Sequence, residues 1–255
     1  MAEPMSNALA CIGAYASPTG INSQSVDCMI NQERDKLIQY FYADTDAPEP
    51  CLAALHAACI YQILGLFGDS FLPAAINQPF RNGDYENSRE QYEKTANLHS
   101  SLLLKMTRRL STIHAETLHI HHEDENDWGQ WKFMESFRRN FFFVHIINVL
   151  ESKLGKLDGY YFEPLGDSLI LSIPLPAPER MWRSCSSEEW FFARAQTLGP
   201  PSPSGSPETH QSYNPRTLGQ LLEAVAKGQV DLASLLPLTR MLLACAMICP
   251  PNPVL

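Results

Sequence analysis

The chain has 255 residues, 45% hydrophobic and 18% charged, which is enough for one large domain with a substantial core. Its formal net charge of −9 argues against a nucleic-acid surface, because phosphate neutralisation by Lys and Arg supplies most of such affinity. The adjacent basic pairs, Arg108-Arg109 and Arg138-Arg139, both fall inside helical patterns. Seven scattered cysteines at irregular spacing predict thiols in a reducing compartment. With no signal-peptide pattern and no apolar run of membrane-spanning length, the expectation is a soluble intracellular chain.

Residues 1–30 are small and polar, broken by Gly13, Pro18 and Gly20, and read as a mobile N-terminal segment. A short amphipathic helix is predicted over 31–42, with Leu37, Ile38, Tyr40 and Phe41 on its apolar side. Pro48 and Pro50 mark a turn that stops it. Residues 51–67 predict a buried helix facing inward through Leu52, Leu55, Cys59, Ile63 and Leu66, with His56 as a core histidine. After the Asn82-Gly83 turn, a long helix is expected over 87–113. Residues 114–127, HAETLHIHHEDEND, read as a connecting loop whose second half is acidic and solvating. Their chemical alternative is a metal site. On a helix, His119 and His122 (three apart) and His119 and Glu123 (four apart) would share one face, and imidazole with carboxylate suits zinc. No His-Glu-x-x-His motif supports it, so these three are weak metal candidates and no metal is expected.

The strongest pattern runs over 127–153. Asp127 is an N-cap candidate with Gln130 in the reciprocal position. Trp131, Met134, Phe137, Phe141, Val144 and Ile147 then recur at three- and four-residue steps, the spacing of one helix face. Glu135 precedes Arg138 and Arg139 by three and four residues, pairs that contribute only a few tenths of a kcal/mol if exposed. Beyond Arg139 the pattern is apolar nearly all round, which places both Phe142 and Phe143 in a dry interior. Residues 169–173 read as an extended packed segment, continued by Pro174, Pro176 and Pro178. Ser186 and Glu189 form a capping box ahead of Trp190, and Trp182 and Trp190 are expected to fill gaps in the core. Residues 199–216 read as a Pro/Ser-rich disordered insertion, and 217–249 as C-terminal helices of the same domain. There Thr217 and Gln220 make another capping box, and Gly228 is a glycine just past a helix end. Every long periodic segment has the step of 3.6, so the fold class predicted is all-α.

Three stretches carry a family resemblance. The first is Trp128, Trp131, Glu135-Ser136 and Arg138-Arg139 with the Phe-rich residues that follow. The second is Ile173-Pro174-Leu175-Pro176-Ala177-Pro178, then Met181-Trp182 and Ser187-Glu188-Glu189-Trp190. The third is Thr217-Leu218-Gly219-Gln220-Leu221-Leu222 with the apolar run 235–245 behind it. In this order, across 51–248, they resemble the fungal-specific transcription factor homology region, the regulatory domain of zinc binuclear cluster transcription factors. The resemblance implies a large irregular helical domain over 31–198 and 217–249, a nuclear role in transcription regulation, and control of a secondary-metabolite gene cluster. It also implies protein partners, as a homo- or hetero-oligomer. The family's DNA-binding element is six cysteines in a short basic stretch, whereas Cys11 and Cys28 stand alone here, so this sequence reads as starting inside the helical region. No direct DNA binding and no membrane contact are expected from it. No catalytic residue and no cofactor are expected either: Cys185 and its serines lack a glycine-rich elbow with adjacent His and Asp, and no phosphate loop is present. The alternative is a small-molecule enzyme or binder using residues 114–127.

Overall fold

A computed structural model describes residues 3–16, 23–42, 48–67, 101–122, 124–153, 165–198 and 215–251. Of these, 78% are helical and none is in a strand, so the fold is all-α as the 3.6-residue periodicity requires. The packing groups the chain into two units, residues 1–113 with 143–164 and residues 114–142 with 165–255. The sequence reading had placed 31–198 and 217–249 in one domain.

In the first unit, α1 (Glu3–Tyr15), α2 (Ser23–Tyr42) and α3 (Pro48–Phe67) pack against one another. Here the structure departs from the sequence reading. Residues 3–15, read as part of a mobile lead, form a helix that buries Ala8 and Cys11. Small buried side chains hold it, which is why no large-residue periodicity announced it. Helix α2 starts eight residues before the predicted 31, and α3 starts at Pro48 rather than after Pro50. A proline in the first helical turn gives up no intrahelical hydrogen bond, so these two prolines open the helix they were expected to exclude. Arg34 Nη2 donates to the Tyr61 carbonyl at 2.5 Å, and Asn7 Nδ2 to Glu33 Oε2 at 2.8 Å, tying α2 to α3 and α1 to α2. The helix over 101–113, here α4, is the described part of the long helix expected from 87, and residues 87–100 lie outside the described residues. The turn at 78–86 and the insertion over 199–214 lie outside them as well.

Helix α6 (Trp128–Lys153) begins in one unit and ends in the other. Asp127 caps it, its Oδ1 accepting the Gln130 N–H at 2.6 Å. Trp131, Met134, Phe137, Phe141 and Phe142 are buried, but Phe143 is 37% exposed, which corrects its assignment to a dry interior. Glu135 and Arg138 are buried as well, so the pairs expected on a solvated face are inside.

Among its described residues, the second unit's other helices are short. They are α5 (Ala115–Leu118), α7 (Asp167–Ser172), α8 (Glu179–Trp182), α9 (Ser187–Leu198), α10 (Leu218–Ala226) and α11 (Pro237–Ile248), and a 3-10 turn covers Leu232–Ser234. Residues 169–172, read as extended, belong to α7, and the extended backbone starts at Ile173 with ψ 147°. The cap bonds of the two predicted capping boxes form, Glu189 N donating to Ser186 Oγ at 3.2 Å and Gln220 N to Thr217 Oγ1 at 3.3 Å. The return bonds go one residue further back, Glu189 Oε2 accepting from Cys185 N and Gln220 Oε1 from Arg216 N, both at 2.8 Å. Gly228 takes φ 68°, the left-handed conformation that ends α10. Helix α10 approaches α7 so closely that a Cβ on Gly219 would lie 3.1 Å from the Leu171 carbonyl oxygen. Pro174 bridges Thr217, joining the proline segment to the start of α10.

Candidate functional site

Several of the side chains quoted for the resemblance lie in the second unit around the proline segment 174–178. Proline has no N–H, so only Leu175 and Ala177 carry amides between Pro174 and Pro178. Both backbone groups of both residues are taken. Leu175 N–H donates to the Arg216 carbonyl at 2.8 Å, and the Leu175 carbonyl accepts from His122 Nε2 at 2.7 Å. Ala177 N–H donates to Glu135 Oε1 at 2.8 Å, and the Ala177 carbonyl accepts from Arg139 Nη2 at 2.7 Å. Glu135 and Arg139 of α6 thus grip one residue by its donor and its acceptor, as a neighbouring strand would.

Glu135 is the hub. Its Oε1 also accepts from Arg139 Nε at 2.8 Å, and its Oε2 faces Arg138 Nε at 3.3 Å and His122 Nδ1 at 3.7 Å. Arg139 continues to Glu179 Oε1 at 2.8 Å on α8, and Arg138 Nη1 reaches the Ile120 carbonyl at 3.2 Å. A carboxylate with no exposure is tolerable only because this many donors converge on it. Charge-assisted bonds of this kind are roughly twice as strong as neutral ones.

An aromatic layer lies beside this polar knot. Trp131 and Trp190 are fully buried with ring centroids 5.3 Å apart, packed with Ala177, Met181 and Ala193, and Trp128 leans on the group. Trp182, expected in the core, is instead only half-buried. Lys132 Nζ sits 4.5 Å and the Arg139 guanidinium 4.7 Å from its ring centre, and Lys132 also donates to the Trp182 carbonyl. Cations this close to an indole are attracted by its ring quadrupole.

Burial and charge set the protonation states. Burial pushes Arg138 below the ordinary arginine range while Glu135 holds it up, and a guanidinium remains charged at neutral pH. Arg139 holds the Glu179 carboxyl below its usual value by hydrogen bonding. Burial lowers the Lys132 ammonium, with Cys185 opposing. Burial also lowers His122; Glu135 opposes that shift, while Arg138 and His121 add to it. A neutral ring with its proton on Nε2 fits the geometry, because Nε2 can then donate to Leu175 while Nδ1 accepts from Arg138 Nη2 at 3.4 Å.

A consequence for pH follows. The unfolded chain protonates His122 near its ordinary pKa of about 6.5, before the folded chain does. Stability is therefore lost as the pH falls below that value toward the depressed folded one. The melting temperature is expected to drop between pH 7 and pH 5, and to drop less in His122→Gln. Equal slopes in parent and variant by circular dichroism would remove His122 from the account.

The weak metal candidates are placed differently from the helical face proposed for them. Helix α5 ends at Leu118, and His119 and His122 lie in turns beyond it. His119 is exposed, His122 has both ring nitrogens engaged in the knot, and Glu123 lies outside the described residues. Among the described residues no group of three or more His, Cys, Asp or Glu side chains has ligand geometry. No disulfide joins the seven cysteines. No described helix is long and apolar enough to cross a membrane.

Sequence reasoning singled out Trp128, Trp131, Glu135, Arg138, Arg139, Pro174, Pro176, Trp182 and Trp190, and the structure brings them to this one region. It missed Lys132 and Glu179, had Ala177 only as part of the proline stretch, and had His122 only as a weak metal candidate. One signal was available: alternating prolines leave isolated amides that need partners, and Glu135 with two arginines one turn away can supply both polarities. No family model matches the chain, and no curated protein or solved structure matches it either.

Proposed function

We propose that this chain acts as the regulatory helical module of a transcription regulator, working through protein partners and without DNA contact of its own. One observation carries the reading. Some of the residues on which the resemblance to the fungal-specific transcription factor region rests hold one another in the second unit: Glu135 and Arg139 grip Ala177, Arg139 covers Trp182 together with Lys132, and Trp131 packs on Trp190. The net charge of −9 supports the absence of DNA contact, since little counterion release is available to drive binding. The alternative, a small-molecule enzyme or binder built on 114–127, draws less support, because His122 is spent on tying the proline segment down.

The test has two arms. The unfused chain should show no sequence-specific DNA affinity at physiological salt. Joined to an unrelated DNA-binding domain, it should change transcription of a reporter. Nanomolar operator binding by the unfused chain, or a folded, nuclear fusion that leaves the reporter unchanged, would count against the reading.

A further inference from the structure

Helix α11 carries three sulfur atoms along one line. Met241, Cys245 and Cys249 follow one another at four-residue steps, which stacks their side chains on one side of the helix. Pro250 and Pro251 stop the helix, and Cys249 leaves the helical backbone with φ −133° and ψ 83°. Its N–H still donates to the Cys245 carbonyl at 2.9 Å, so its Cα keeps the helical position. Each Cα–Cβ bond of a helix tilts toward the N-terminus, which leans Cys249 toward Cys245 and Cys245 toward Met241. The row follows the edge of the buried stripe. Leu242, Leu243 and Ala246 are buried, Cys245 is 5% exposed and Cys249 is half-buried. Met241 and Ile248, beside Cys245 on the solvent side, are 46% and 52% exposed. A methionine this open gives little to the core, and its three rotatable bonds let the thioether turn toward Cys245. The last turn of α11 holds no Lys or Arg, so the partial negative charge of the helix end meets no basic side chain of its own.

The spacing separates two uses of such a thiol pair. Cβ atoms four residues apart on a helix lie about 5–6 Å from one another, whereas a disulfide needs about 3.5–4.5 Å. Two metal–thiolate bonds of about 2.3 Å span up to about 4.6 Å between the sulfurs, a gap that needs no backbone movement. Burial raises the Cys245 thiol and the charge of Cys249 adds to it, a repulsion that a bound cation removes. Zinc takes four ligands in a structural site, and among the described residues no group of three His, Cys, Asp or Glu side chains offers them. Two thiolates with a thioether are instead the soft set that selects monovalent copper. We propose that Met241, Cys245 and Cys249 form a binding site for a soft monovalent cation, Cu(I), at the C-terminal end of α11. Both thiol protons leave to solvent as the ion binds, so the filled site carries one net negative charge.

Titration of Cu(I) into the reduced full chain without oxygen, in competition with a coloured copper chelator, tests this. The parent should hold one ion per chain and release two protons for it in weak buffer. Cys249→Ser should weaken binding beyond about a hundredfold, more than the loss of a merely supporting group causes. Met241→Leu should weaken it about tenfold. Neither side chain is fully buried, so parent-like melting is expected of both variants, which keeps the test clear of the more deeply buried Cys245. Cys28→Ser with Cys185→Ser removes two exposed thiols elsewhere and should leave the affinity unchanged. Zn(II) should be held far more weakly than Cu(I). A parent that takes up no copper, or parent-like affinity in Cys249→Ser, would overturn the proposal. So would loss of copper from the Cys28→Ser with Cys185→Ser chain, zinc held as tightly as copper, or copper bound only as a bridge between two chains.

Discussion

Glu135→Ala is expected to destabilise the protein by about 3–5 kcal/mol, the usual cost of leaving one half of a buried charge pair behind. The side chain removed has no exposure, and Arg138, its neighbour one turn on, has 2%. Without the carboxylate, Arg138 keeps the Ile120 carbonyl and the His122 ring, both neutral partners, in a place with little water. Arg139 fares better because Glu179 and the Ala177 carbonyl remain. The Ala177 amide loses the acceptor to which it donates at 2.8 Å, which adds the cost of a stranded buried N–H. Against a total stability of about 5–15 kcal/mol for a domain, this is a large fraction. Glu135→Gln, which restores an acceptor for Ala177 but no charge, should recover part of the loss. Denaturant midpoints measure both. If Glu135→Ala unfolds at the parent midpoint with an unchanged slope, the knot is not the buried charge cluster described.

The second large effect is a contrast between neighbours on α6. Phe142 has no exposure and Phe143 has 37%, although the sequence pattern treated them alike. Phe142→Asp puts an unpaired carboxylate where it has neither water nor a donor, and removes a packed ring whose loss alone costs about 3–5 kcal/mol. It is expected to leave little or no folded protein at room temperature. Phe143→Asp can turn its carboxylate toward solvent, and should stay folded with a melting temperature reduced by several degrees, corresponding to about 1–2 kcal/mol. Comparable melting of the two variants would contradict the orientation of α6.

What was legible in the sequence is mostly local. Asp127 with Gln130, Ser186 with Glu189 and Thr217 with Gln220 are caps whose partners stand three residues apart, and all three form. The apolar face of α6 is legible for the same reason, since one period decides it. The burial of Glu135 and Arg138, with Arg139 mostly covered beside them, was not, because an i,i+4 pair looks the same on a solvated face and under a proline segment. What decides the matter is Ala177 and Glu179, 42 and 40 residues downstream of the groups they bind. Helix α1 was missed because Ala8 and Cys11 pack by being small, a property that hydrophobic periodicity does not register. The start of α3 was missed because Pro48 and Pro50 are breakers inside a helix but permissible in its first turn. The stretches that carry the resemblance include side chains that pack together in the second unit. Their chemistry, a donor and an acceptor gripping one residue between two prolines, came only from the structure.

The functional reading is tested most directly by reporter transcription from the chain fused to an unrelated DNA-binding domain, measured beside the same fusion carrying Glu135→Ala and beside one lacking residues 128–153. The account predicts that the parent fusion shifts transcription several-fold at equal protein level. The deletion should abolish the shift, and Glu135→Ala should reduce it in step with the fraction of protein folded. A parent fusion that is folded and nuclear and leaves the reporter at the level of the DNA-binding domain alone would contradict it.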